Sequence, residues 1–156
     1  MTEPSAHLLG EIGLDPSWSH RIDVPSHDGL SHRWHYLERA GTSDSTPTIL
    51  CLHGNPTWSF LWSRLINEMS NEYRIIAPDH LSMGYSDQVG TRRYRDRVLD
   101  VHDFVGALGI KGPIWLVAQD WGGIIVFKNE RGRKLVKQEM VPGSEGLWGC
   151  LKPADI

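Results

Sequence analysis

Ile114-Trp115-Leu116-Val117-Ala118-Gln119-Asp120-Trp121-Gly122-Gly123 is the stretch that decides the fold. Ile114 to Ala118 is a short apolar run of strand length. It enters a small-x-Asp-x-Gly-Gly turn, after which a helix is expected. This is the layout of a nucleophile elbow, a tight strand-to-helix turn that presents one side chain at the tip of a sheet. Small residues suit such a turn because it is strained and the backbones crowd. Ala118 and Gly122 flank the presented residue, where larger side chains would clash. That residue is Asp120. A carboxylate in this position can displace a leaving group from carbon and retain the product as an ester on the protein.

The elbow has a partner upstream. Thr48-Ile49-Leu50-Cys51-Leu52 reads as a buried strand, and His53-Gly54-Asn55-Pro56 follows it directly. In α/β-hydrolases the loop after this strand supplies one of two backbone N–H groups aimed at developing negative charge, and the residue after the nucleophile supplies the other. Here those residues are Asn55 and Trp121. Both also carry a side-chain donor, the amide of Asn55 and the indole N–H of Trp121. Two such donors in one small pocket without a positive charge suit a desolvated monovalent anion such as halide.

Three segments together resemble the haloalkane dehalogenases: His53-Gly54-Asn55-Pro56-Thr57-Trp58-Ser59-Phe60-Leu61-Trp62, Ala77-Pro78-Asp79-His80-Leu81-Ser82-Met83-Gly84-Tyr85-Ser86-Asp87, and Gln119-Asp120-Trp121-Gly122-Gly123. The resemblance implies Asp120 as nucleophile, Asn55 with Trp121 as the halide-stabilising pair, and a small apolar substrate such as a haloalkane. Related hydrolases share parts of the pattern. Epoxide hydrolases also place Trp after Asp, but usually carry an aromatic residue where Asn55 stands. A β-lactone-decarboxylating hydrolase of long-chain olefin synthesis resembles the dehalogenases in both motifs, as do some cofactor-free luciferases. The stretch Gly90-Thr91-Arg92-Arg93-Tyr94-Arg95-Asp96-Arg97 is richer in arginine than a typical dehalogenase, which keeps the lactone reading open.

Composition narrows the remaining classes. A hydrophobic share of 40% and a charged share of 22% fit an ordinary soluble globular chain. A formal net charge of −3 does not point to nucleic acid or an anionic membrane as partner. No apolar stretch approaches the roughly 18 residues that span a bilayer. No basic region precedes an apolar run between Met1 and Gly10, so no secretory signal is expected. Cys51 and Cys150 are too few for a disulfide framework, and Cys51 reads as a buried thiol. A cytoplasmic location is the expectation. No metal or cofactor is expected either. Asp79 and Asp87 lack a His or third carboxylate at ligand spacing, and Gly122-Gly123 is not a dinucleotide fingerprint.

The order of elements predicts an α/β fold, the N-terminal half of a mostly parallel sheet with flanking helices. Ile22–Val24 and Arg33–Leu37 read as a hairpin around His27-Asp28-Gly29. After strand Thr48–Leu52, Phe60, Leu61, Leu65 and Met69 fall at helical spacing over Ser59 to Met69. Tyr73 to Ala77 is the next strand. Tyr94, Val98, Val101, Val105 and Leu108 share one face of a further helix. Alternating strand and helix argue for parallel pairing, with the two key loops meeting at the carboxyl edge of the sheet. Trp58, Trp62 and Trp115 read as core rather than cleft residues, and Arg92 to Arg97 as a solvated helix start.

This regularity stops near Val126. Residues 1–126 read as hydrolase domain, truncated, and residues 127–156 as an atypical tail without resemblance. Before the boundary the only lysine is Lys111; after it come Lys128, Lys134, Lys137 and Lys152. All eight histidines precede Asp120. Water-activated release of an Asp ester needs a general base, which the resemblance places later in the chain as a His oriented by a carboxylate. The expectation is a nucleophilic half-site, catalytically inactive in these 156 residues. The alternative is a non-catalytic fragment or pseudoenzyme. His53 and His80 read as structural.

Overall fold

A computed structural model describes residues 4–127 and 149–151. The strands form one six-stranded sheet in the order β1-β2-β4-β3-β5-β6. Here β1 is Ser19–Pro25, β2 Ser31–Arg39, β3 Thr48–Leu52, β4 Arg74–Pro78, β5 Ile114–Ala118 and β6 Gly149–Leu151. The helices are α1 Ala6–Glu11, α2 Ser63–Glu68, α3 Tyr94–Leu108 and α4 Trp121–Phe127, with 3₁₀ turns at Pro16–Trp18 and Ser59–Trp62.

The predicted parallel unit is β4-β3-β5, with β3 pairing β4 and β5 in parallel. The opening hairpin β1–β2 is antiparallel and joins the sheet through antiparallel pairing of β2 with β4. On the other side β6 pairs antiparallel with β5. The tail assigned to residues 127–156 otherwise lies outside the described residues, apart from Phe127.

β3 is buried along its whole length, and its side chains alternate between two cores. Leu50 and Leu52 join Trp34, Tyr36, Ile76, Val98, Val101, Phe104, Leu116 and Ile125 on the face covered by α3 and α4. Ile49 and Cys51 join Leu9, Leu37, Trp62, Ile66 and Ile75 on the face covered by α1 and α2. A sheet covered by helices on both faces is the three-layer arrangement that makes a continuous apolar strand such as Thr48–Leu52 stable.

α3 forms where the apolar spacing predicts. Its first turn is closed by the Asp96 carboxylate, which accepts the Arg93 N–H at 2.9 Å. It ends at Gly109 in the left-handed region, φ 57°. The segment read as one helix over Ser59 to Met69 divides instead into the 3₁₀ turn and α2. Ser59 N–H donates to Asp79 Oδ1 at 2.7 Å, which ties the start of the segment to the end of β4. α1 carries no sequence periodicity because it is too short; Ser5 Oγ caps it by accepting the Leu8 N–H, and Leu9 is buried. Among the described residues no helix is long and apolar enough to cross a membrane.

Candidate active site

The two loops meet at the carboxyl ends of neighbouring strands. β3 and β5 pair from Thr48 with Ile114 to Leu52 with Ala118, so both chains leave the sheet side by side. The ladder continues one step into the turn, where Gln119 N–H donates to Leu52 O at 3.1 Å. Asp120 then adopts φ 53°, a left-handed conformation that costs a non-glycine residue free energy and marks a position held by its surroundings. α4 starts at once: Gly123 N–H and Ile124 N–H both donate to Asp120 O, at 3.0 and 3.3 Å. Strand β5 thus passes into α4 through a tight turn with Asp120 in the left-handed conformation.

Close approach explains two of the small residues. A Cβ on Gly122 would run into the Leu52 carbonyl oxygen of β3. A Cβ on Gly54 would stand 2.5 Å from Asp120 Cβ. Each glycine lets one loop lie against the other.

Asn55 N–H donates to Asp120 Oδ2 at 3.2 Å. The backbone donor predicted for the upstream loop thus faces the carboxylate predicted as nucleophile. Trp121 is the first residue of α4, where backbone N–H groups lack intrahelical acceptors. Asp120, Asn55 and Trp121 are all exposed, Trp121 at 39%. The described residues bring the three predicted residues to one edge of the sheet, but they do not provide the desolvated pocket expected from the sequence.

The upstream loop is held from beneath by two buried histidines. The ring nitrogen His53 Nδ1 lies 2.7 Å from Gly54 O. A carbonyl can only accept, so Nδ1 carries the proton. His80 N–H donates to His53 Nε2 at 3.0 Å, and His80 Nε2–H donates back to His53 O at 3.0 Å. Burial pushes both imidazoles below their ordinary range, His80 to about 3, so both are neutral. They are structural, as their sequence contexts suggested.

A second buried group centres on Asp79. Asp79 Oδ2 accepts from His35 Nδ1 and from Tyr85 N–H, each at 2.8 Å, while Oδ1 accepts the Ser59 N–H. Ser86 Oγ–H donates to Asp79 O at 2.7 Å and accepts His35 N–H at 2.9 Å. Burial opposes ionisation of Asp79, but His35 and the two backbone donors outweigh it and hold the carboxyl below the usual range. This cluster fastens β2, the loop after β4 and the segment after the His53 loop to one another. The local signal was the crowding of Asp79, Gly84 and Ser86 after an apolar strand; His35 lies too far upstream to be paired by inspection.

Other candidates resolve as packing or ion pairs. Trp62 is buried at 2% exposure, Trp115 packs against the same core, and Trp58 stacks on Phe60. Arg92 is not part of a solvated helix start. It turns inward, 2.7 Å from Asp28 and 3.3 Å from Asp100, because those carboxylates sit between the hairpin and α3. Asp87 Oδ2 accepts the Arg33 N–H at 2.8 Å.

Comparison with known proteins agrees with this geometry. Residues 47–128 match the alpha/beta hydrolase fold family. A cis-3-alkyl-4-alkyloxetan-2-one decarboxylase of Xanthomonas campestris pv. campestris is 43% identical over 116 residues, which cover 69% of this chain and 37% of that protein. Haloalkane dehalogenase 2 of Mycobacterium bovis is 34% identical over 130 residues, 82% of this chain and 42% of that one. The tetrameric haloalkane dehalogenase DpaA of Paraglaciecola agarilytica superimposes with a TM-score of 0.61 at 29% identity, over 79% of this chain and 41% of its own. The chain spans about two fifths of the length of these relatives. With a family match that spans the parallel strand pair β3–β5 and the turn at Asp120, the chain belongs to the alpha/beta hydrolase fold family.

Proposed function

We propose that this chain carries the nucleophilic half of a hydrolase site that cleaves a carbon–halogen bond. Asp120 attacks the halogen-bearing carbon from one side, the halide leaves with the bonding electron pair, and an alkyl ester remains on Asp120. The Asn55 amide and the Trp121 indole N–H receive the departing anion. The observation that carries this reading is the approach of Asn55 N–H to Asp120 Oδ2, 3.2 Å across the gap between two neighbouring strands. The substrate is small and apolar.

A second reading has one specific observation in its favour. The relative named for oxetanone decarboxylation shares 43% identity, which favours a cis-3,4-dialkyl β-lactone. Ring opening by Asp120 at the alkyl carbon would give the same ester and release the ring carboxylate without losing any atom. Of the arginine-rich stretch, Arg92 is engaged by Asp28 and Asp100.

Water-activated release is a separate step and needs a base. Each histidine has a described partner, and in no case is it Asp120: His7 meets Glu11, His20 meets Tyr36, His27 and His102 meet Asp103, His32 meets Asp28, His35 meets Asp79, and His53 and His80 meet each other. On this reading the described residues account for formation of the ester and not for its release.

Intact-mass measurement after exposure to 1-bromobutane tests this. A stable adduct in which a butyl group replaces the carboxyl proton, absent in Asp120→Ala, is the expected result. A cis-3,4-dialkyl β-lactone should instead add its whole mass if the second reading holds. A folded chain that takes up neither reagent overturns both.

A further inference from the structure

Asn55 N–H belongs to the same peptide unit as Gly54 C=O. That unit is trans; the cis bond lies one step later, between Asn55 and Pro56. In a trans peptide the C=O and N–H are coplanar and point in opposite directions, so fixing one aims the other. Gly54 O is fixed by three donors: His53 Nδ1–H at 2.7 Å, Thr57 Oγ1–H at 3.0 Å and Thr57 N–H at 3.2 Å. The shortest comes from a ring with no exposure to solvent. On the opposite side of the plane, Asn55 N–H reaches Asp120 Oδ2. The ring itself cannot turn over, because its other nitrogen accepts the His80 N–H at 3.0 Å. A flipped ring would set a carbon against the Gly54 carbonyl.

We propose that His53 is a positioning residue that aims the Asn55 N–H at the Asp120 carboxylate, by gripping the carbonyl on the far edge of the same peptide plane. His80 supports it by fixing the ring's tautomer and orientation. Its role at the reacting carbon rests on the assignment of Asp120 as nucleophile; its effect on the peptide plane does not. The role requires a proton on Nδ1 and none on Nε2. The same tautomer serves a general base, but here the Nε2 lone pair that would take a proton already accepts the His80 N–H.

The two amide isosteres separate the ring's functions. The Asn amide nitrogen can stand where Nδ1 stands, whereas the Gln amide reaches only to the Nε2 position. Long-range proton–nitrogen spectra of the ¹⁵N-labelled protein should show His53 as the neutral Nδ1–H tautomer. Asn55 amide hydrogen exchange should stay within about threefold of wild type in His53→Asn and rise by roughly tenfold or more in His53→Gln. Formation of the Asp120 ester should slow in the same order. A neutral Nε2–H tautomer, or an Asn55 amide indifferent to His53→Gln in the folded protein, overturns the proposal. If both variants fail to fold, the tautomer of the wild-type ring decides. Absence of any ester in the wild type would instead reject the nucleophile assignment and leave the peptide-plane result standing.

Discussion

The imidazole of His35 lies 2.8 Å from the carboxylate of Asp79, and neither side chain is exposed to solvent. The pair joins β2 to the end of β4, and the same carboxylate holds the backbone of Ser59 and Tyr85. Removing the carboxylate leaves three donors without that acceptor, two of them buried. Asp79→Ala is expected to lower unfolding stability by about 3–5 kcal/mol in urea titrations, and Asp79→Asn by less. Equal stability of Asp79→Ala and wild type would show that the cluster is dispensable.

Gly122→Ala addresses the elbow directly. The new methyl must enter the space of the Leu52 carbonyl, which belongs to the central strand and cannot give way cheaply. A loss of roughly 1–3 kcal/mol is expected, together with loss of ester formation, because relief of the clash moves Asp120 away from Asn55. Unchanged melting and unchanged adduct yield would show that the turn has room the present geometry denies.

Asn55→Ala separates side chain from backbone. The variant keeps the N–H that faces Asp120 and loses only the amide assigned to the leaving anion. Single-turnover ester formation from 1-chlorobutane should fall by about a hundredfold, as for loss of one anion-stabilising donor, while the fold is retained. If chloride and bromide leaving groups respond alike and only slightly, the Asn55 side chain does not hold the anion.

The ion cluster beneath the hairpin predicts a pH effect. Asp100 is buried, and burial pushes its carboxyl up to about 6 despite the pull of Arg92, His27, His32 and Arg97. An unfolded aspartate titrates near ~3.9, so between these values the folded chain holds a proton that the unfolded chain has released. Asp100 therefore costs stability as pH rises through this window, and the cost is complete above it. The neutral His53 and His80 act with the opposite sign: their burial weakens the fold as pH falls below the ordinary histidine range. The two histidine contributions are common to wild type and Asp100→Asn and cancel in the comparison. The stability of the variant relative to wild type should thus climb between pH 4.5 and pH 6.5, by at most about 3 kcal/mol, in urea unfolding at each pH. A flat difference would mean that Asp100 titrates alike in both states.

The sheet was legible in the sequence wherever one strand carried its own instructions. Thr48–Leu52 and Ile114–Ala118 form at the positions read for them, the first buried throughout and the second at its centre, because apolar runs of strand length must stop where polar loop residues begin. The face of α3 was equally plain from Val98, Val101 and Val105. The juxtaposition of Asn55 with Asp120 was readable because both motifs lie at the ends of such strands. What could not be read was tertiary: His35 with Asp79, Arg92 with Asp28 and Asp100, and His80 N–H with His53 Nε2. Except for Arg92 and Asp100, which lie on either side of the start of α3, the partners are separated by at least one element, and a polar residue's partner leaves no periodic trace. The start of the Ser59 segment was misjudged for the same reason, since a carboxylate twenty residues downstream claims its first N–H.

The β3–β5 pairing also bears on how substrate range can change. Among the described residues, Asp120 and the Asn55 N–H are brought together by five paired positions of β3 and β5. Whatever roof a hydrolase of this kind sets above the elbow can thus be exchanged, enlarged or reshaped without realigning the attacking group and its nearest donor. On the proposed assignment of Asp120, chemistry is anchored in the floor of the site, and selectivity is free to drift in whatever covers it.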